Sequence, residues 1–193
     1  MDKKKIAIFF PGIGYHCDKP LLYYARKLAL EACFEDYRNV TYTCSVKKIR
    51  GDKDMMKKAF DELYGQTEEA LKDIDWDEYD DILFVSKSIG TAIAIFYAKK
   101  HGIENVRHVL YTPLAETFEA AEGMDKIHAI AFIGTGDPWS DVLEVASSAE
   151  DYKVPITIYE GVNHSLEGDD TMANLELLSE VMEKTGKFMA SRM

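Results

Sequence analysis

Apolar positions along this chain come in two alternating kinds. Short runs, unbroken at 6–10, 82–85 and 129–133 and mostly apolar at 106–111 and 155–159, make up the first kind. Runs of that length, rich in branched and aromatic side chains, predict strands covered on both faces. Residues 40–46 alternate apolar and polar and predict a further strand. Between the runs, apolar residues recur at helical spacing. Leu21, Leu22, Ala25, Leu28, Ala29 and Ala32 predict a helix ending near Cys33, with Asp18 as its N-cap and Pro20 in its first turn. Met55, Met56, Ala59, Phe60, Leu63 and Leu71 predict a second, interrupted near Gly65. Residues 89–97 are almost wholly apolar and predict a buried helix. A short helix is expected around 116–122, and others carry Val142 to Ala149 and Met172 to Met189. Strands and helices thus alternate about six times. That is the pattern of an α/β fold, a three-layer α/β/α sandwich whose mostly parallel, doubly wound sheet has about six strands. One domain spanning 1–193 is expected.

The tightest connection lies between the run 82–85 and the helix that starts at Ile89. Only Ser86, Lys87 and Ser88 separate them, fewer than most strand-to-helix loops. So sharp a turn projects Ser88 above the sheet edge and sets the Ile89 amide, at the helix N-terminus, beside its hydroxyl. Lys87 is expected to be a solvated side chain of the turn. In a parallel sheet, ligands bind at the carboxyl ends of the strands. If Ser88 reacts, its partners should follow later strands. Asp137 follows the run 129–133, and His164 follows the run 155–159. A serine hydroxyl is barely ionised at neutral pH, so an imidazole must take its proton as it attacks. A carboxylate then fixes the imidazole tautomer and stabilises the imidazolium. Asp141 and Asp170 are other acids in the region, but Asp137 sits closest to a strand end. The competing reading is a polar turn in a flavodoxin-like binding module, with Ser86, Ser88 and Thr91 cradling a phosphate at the helix N-terminus. It gives no reason for Asp137 and His164 to follow strands in that order.

Ser86-Lys87-Ser88-Ile89-Gly90 resembles the G-x-S-x-G nucleophile elbow of the α/β-hydrolases, with serine at the first glycine. The order Ser88, Asp137, His164 is that family's order, and the contexts G-T-G-D-P and E-G-V-N-H-S-L are similar to it. Phe10-Pro11-Gly12-Ile13-Gly14 resembles the family's H-G-x-G oxyanion loop, with Pro11 replacing histidine. The resemblance implies Ile13 and Ile89 as oxyanion-hole amides, with Gly14 as the fallback for Ile13. Gly14, Tyr15, His16 and Trp139 adjoin these loops and are candidate substrate-binding residues. The resemblance runs from about Ile6 to Met189. It lacks the family's first hairpin and its lid, since only a short helix is expected between Thr112 and His128. A minimal, lidless enzyme similar to the small dienelactone-hydrolase-like proteins is implied. Its activity would be cleavage of a small-molecule ester or thioester through an acyl-enzyme. Without a lid, the open site favours short acyl groups. An acyltransferase or amidase would use the same three residues.

Composition narrows the partners. The net charge of −11 disfavours nucleic acid and anionic membranes, both of which recruit basic patches. Three cysteines, Cys17, Cys33 and Cys44, form no framework and suggest reduced thiols and a cytoplasmic setting. No C-x-x-C pair or His/Cys cluster points to a metal, and no cofactor is implied. The apolar run at 6–10 is too short for a signal peptide. The expected partner is a small-molecule substrate, and the oligomeric state stays open.

Overall fold

The computed structural model describes residues 4–191. The chain begins with β1 (Lys5–Phe10), a run with Ile8, Phe9 and Phe10 wholly buried. The helix α1 (Pro20–Glu31) follows, with proline at its first position, where the missing amide costs no intrahelical bond. Its N-cap is Lys19, not Asp18, and Asp18 instead accepts from Arg26 at 3.0 Å.

The next strand is β2 (Asp36–Asn39), paired in parallel with Ile6–Phe9. It was expected at 40–46. That segment alternates inward and outward as an extended chain, but its polar groups bond side chains of α2 (Lys53–Leu71). Thr43 N donates to Gln66, Ser45 N to Glu62, and the Tyr42 and Thr67 hydroxyls meet at 2.8 Å. Strand-like patterning needs a partner strand to become a strand, and here α2 takes the partner's place. The helix α2 runs unbroken through Gly65, after Asp52 caps it by accepting from Met55 N.

The central strand β3 (Asp81–Lys87) lies between β1 and β4 (Val106–Tyr111), in register Phe10↔Ser86 and Lys87↔Tyr111. It leads directly into α3 (Ile89–Lys100). Then come α4 (Ala115–Glu119), β5 (Ala129–Gly134), α5 (Val142–Asp151), β6 (Ile156–Tyr159) and α6 (Thr171–Ala190). The sheet order is β2-β1-β3-β4-β5-β6, and every pair is parallel.

The alternation of side chains divides the core. Ile6, Ile8, Phe10, Ile82 and Phe84 face α2 and α3. Ala7, Phe9, Leu83 and Val85 face α1 and α6. A third cluster, with Leu110, Ile133, Phe118 and Val145, seats α4 and α5. The chain reverses its direction across the sheet between β1 and β3, so the crevice for a ligand lies at their carboxyl ends.

Candidate active site

The turn at that crevice is tighter than the sequence suggested, because β3 runs through Lys87 and Ser88 alone links it to α3. Ser88 adopts φ 57° and ψ −130°, a conformation that side chains with a Cβ rarely hold. The close approach of α3 to β1 explains Gly90. A Cβ there would lie 2.6 Å from the Phe10 carbonyl oxygen and closer still to that of Pro11. Ser86 fits at the elbow's first glycine position because its buried hydroxyl donates to Val109 O at 3.2 Å. Thr91 donates its hydroxyl to Ser88 O at 2.6 Å and meets Thr117 at 2.5 Å. Both hydroxyls are thus engaged inside the protein and turned away from any ligand.

His164 stands over Ser88. Its Nε2 lies 2.8 Å from Ser88 Oγ, and its Nδ1 lies 2.6 Å from Asp137 Oδ2. The Asp137 side chain is fully buried, and its other oxygen accepts from Trp139 N at 2.9 Å. The loops carrying Asp137 and His164 are locked together through backbone. Gly136 N donates to Val162 O, Thr135 N to Tyr159 O, and Gly161 N to the Thr135 hydroxyl. A Cβ on Gly134 would press within 2.6 Å of Val162 Cγ2, so both glycines of G-T-G-D are there for close approach. Asn163 Oδ1 accepts from Ser165 N at 2.7 Å and shapes the turn beyond His164. Asp141 and Asp170 cap α5 and α6 and stand outside this cluster.

Burial pushes the His164 pKa below the usual histidine value, and the Lys87 charge adds to that. The hydrogen bond that His164 Nδ1 donates to Asp137 opposes both. The group is therefore a neutral base at neutral pH, held by a carboxylate and touching a hydroxyl. That arrangement can accept the hydroxyl proton as oxygen attacks a carbonyl and return it to a leaving group.

The amide of Ile89 opens α3, where the first amides have no intrahelical acceptor. The loop after β1 folds back on itself between Gly12 and Tyr15, with Gly12 N donating to Tyr15 O and Tyr15 N to Gly12 O. A Cβ on Gly12 would lie 3.1 Å from Ser88 Cβ, so this turn abuts the serine. Ile13 stands at its tip with its side chain 42% exposed.

Of the four candidate substrate-binding residues, Trp139 stands beside His164, with ring centroids 5.8 Å apart, and is 39% exposed. Tyr15 is half-buried, its hydroxyl accepts from Leu21 N, and burial raises its pKa to about 12. Gly14 and the exposed His16 line a separate hollow of about 400 Å³ shared with residues 39–42. A cleft of about 380 Å³ opens beside the elbow. It runs along Ile89, Ala92 and Phe96 between α2 and α4, with Met56 and Phe60 on its wall. Among the described residues, no group of three or more His, Cys, Asp or Glu side chains is arranged to hold a metal ion.

Lys87 is the residue the sequence misplaced. The side chain expected in solvent is 1% exposed. It continues the inward row of Leu83 and Val85, so the strand's alternation carries it into the layer beneath α1 and α6. The signal lies in the period of two, which continues past the apolar run 82–85 to Lys87.

No protein-family model matches the chain, and no curated protein matches its sequence. Solved structures do match its fold. A protein of unknown function from Agrobacterium tumefaciens, a candidate α/β-hydrolase, superposes with a TM-score of 0.64 at 14% identity, over 96% of this chain and 84% of that one. An esterase from Pyrococcus furiosus gives 0.62 at 14% identity, over 97% and 83%. A lidless α/β serine hydrolase from Xanthomonas campestris gives 0.57 at 11% identity, over 99% and 85%. With its all-parallel sheet, the one-residue turn at Ser88 and only the five-residue α4 where a lid would stand, the chain has the α/β-hydrolase fold without a lid.

Proposed function

We propose that the protein is a serine hydrolase that cleaves an ester or thioester of a small molecule through an acyl-enzyme. Ser88 is the nucleophile, His164 carries its proton, and Asp137 orients the imidazole. The amides of Ile89 and Ile13 hold the oxyanion. The observation that carries this reading is the bridging imidazole, 2.8 Å from the Ser88 hydroxyl and 2.6 Å from the buried Asp137 carboxylate. The half-exposed indole of Trp139 beside His164 supports it as one wall of the substrate site. The cleft along Ile89, Ala92 and Phe96 offers room for an apolar part of the substrate. The esterase and serine hydrolases that share this fold support the reaction class. The phosphate-binding alternative loses its chemistry, because the Ser86 and Thr91 hydroxyls are buried and already bonded. The three thiols form no disulfide, which fits a reducing compartment such as the cytoplasm.

Labelling with a fluorophosphonate probe, followed by peptide mass spectrometry, tests this. An adduct on Ser88 that is lost in both Ser88→Ala and His164→Ala is expected. A folded wild-type protein that takes no label refutes the assignment.

A further inference from the structure

Lys87 is a buried cation without a hydrogen-bond acceptor among the described residues. It is 1% exposed, its ammonium lies 5.1 Å from the centre of the Tyr15 ring, and its electrostatic partners are Asp137 and His164. An apolar side chain would suit that space, since an unpaired charge in a core is costly. The cost falls next to the one residue pair where a positive charge has an effect on chemistry.

We propose that Lys87 is an electrostatic positioning residue for the Ser88–His164–Asp137 cluster. Its ammonium, on a side chain 1% exposed beneath the site, resists protonation of His164. The inference rests on the catalytic reading of that cluster. The titratable groups on the surrounding elements are Tyr15 after β1, Tyr111 on β4, Asp137 after β5, and His164 and Glu167 after β6. Tyr15 and Tyr111 have pKa values raised by burial and stay neutral, and Tyr111 is bonded to Thr185 of α6 at 2.8 Å. Asp137 is therefore the anion that answers Lys87, and it is shared with His164. Protonating His164 would put two cations around one buried carboxylate. In resting enzyme the imidazole thus stays free to accept the serine proton at pH values where an ordinary histidine would be charged. The same two groups explain why burial of Lys87 is tolerated. Asp137 raises the lysine pKa while desolvation lowers it to about 7, so the lysine keeps its charge on the acidic side, where His164 titrates.

The test compares wild type with Lys87→Met, Lys87→Gln and Lys87→Arg. The His164 imidazole is followed by NMR across pH, its signals assigned by their loss in His164→Asn, and kcat/KM is measured on a short-chain nitrophenyl ester. In the two neutral variants the imidazole should take up its proton at higher pH, and the acidic limb of kcat/KM should move with it. The ratio of kcat/KM at pH 5 to that at pH 8 should fall about threefold. Lys87→Arg should keep the wild-type titration. An unchanged His164 titration in the neutral variants overturns the proposal, and so does an arginine variant that shifts as they do. A shifted titration in a protein without esterase activity supports the electrostatic role and refutes the esterase reading instead.

Discussion

Replacing Lys87 with methionine should make the protein more stable, by an amount that depends on pH in a defined way. Burial lowers the Lys87 pKa from its ordinary 10.5 to about 7. Below about pH 7, both the folded and the unfolded chain carry the proton, and the fold bears the full cost of the buried charge. Each pKa unit is worth about 1.4 kcal/mol, so the shift corresponds to about 5 kcal/mol as an upper value. From pH 7 to 10.5, the folded protein releases the proton while the unfolded chain keeps it. The cost then shrinks and the wild type gains stability relative to the variant. Lys87→Met, of similar length and without a charge, should therefore exceed wild type most at pH 6–7 and converge on it towards pH 10. Other groups act in this range. Burial raises Cys17 from 9.0 to about 12 and Tyr97 from 10.0 to about 12, so both proteins lose stability above pH 9 as the unfolded chain ionises. Those contributions are common to both and cancel in the difference. Urea unfolding, followed by far-UV circular dichroism at pH 6, 7, 8, 9 and 10, gives that difference directly. A variant no more stable than wild type at pH 6–7, or an advantage that stays flat with pH, would refute the reasoning.

Two other residues give sharp expectations. Ser88 holds φ 57°, a geometry that costs about 1–3 kcal/mol for a residue with a Cβ. Ser88→Gly should therefore unfold at higher urea than Ser88→Ala by about 1 kcal/mol, even after glycine's entropic disadvantage. At an unstrained position the order would be reversed, and finding it reversed here would sink the claim of strain. His108 is buried, its Nδ1 has no partner among the described residues, and burial lowers its pKa from 6.5 to about 3. The folded protein keeps it neutral while the unfolded chain protonates below pH 6.5, so stability is lost as pH falls from 6.5 towards 3. Between pH 7 and pH 4.5 this contributes about 3 kcal/mol. His108→Leu should lose correspondingly less over that interval, and parallel unfolding curves for the two proteins would count against it.

The fold and the chemistry were legible to different degrees, for physical reasons. Strands buried on both faces announce themselves as apolar runs, and β1, β3, β4 and β5 lie where those runs lie, as does the partly buried edge strand β6. The other edge strand, β2, has no such signature. Asp36–Asn39 is exposed throughout, so no buried apolar pattern in its side chains marks it. The more strand-like segment after it is held by Gln66 and Glu62 of α2 instead. Residues on loops that follow strands could be located because a parallel sheet brings its carboxyl ends together, which is how Ser88, Asp137 and His164 meet. The means of that meeting were less visible. Gly134 and Gly136 matter through the backbone of Val162 and Gly161, some 26 residues on in the chain. A charged side chain read beside a polar serine suggested solvent, whereas the alternation of β3 turns Lys87 inward.

Local rules are broken here in a pattern that bears on function. Positive φ at Cys33 and Lys153 follows the ends of α1 and α5, where helices commonly close with a left-handed residue. Lys48 and Leu166 take positive φ within loops, whereas the values at Ser88 and Thr112 have no such cause. They stand at the carboxyl ends of the neighbouring strands β3 and β4, where Ser88 N donates to Tyr111 O at 3.0 Å. Thr112 is wholly buried and its Oγ1 has no partner among the described residues, and Lys87 beside it in the sheet is a lysine only 1% exposed. His108, the other orphaned side chain, sits nearer the amino end of β4, away from that edge. A fold selected for stability alone would spread such costs or remove them, since glycine at 88 and an aliphatic side chain at 87 would do so. Their concentration where Ser88, His164 and Asp137 converge is the expected mark of a reactive site. It is a physical reason, independent of any motif, to look for chemistry at that edge of the sheet.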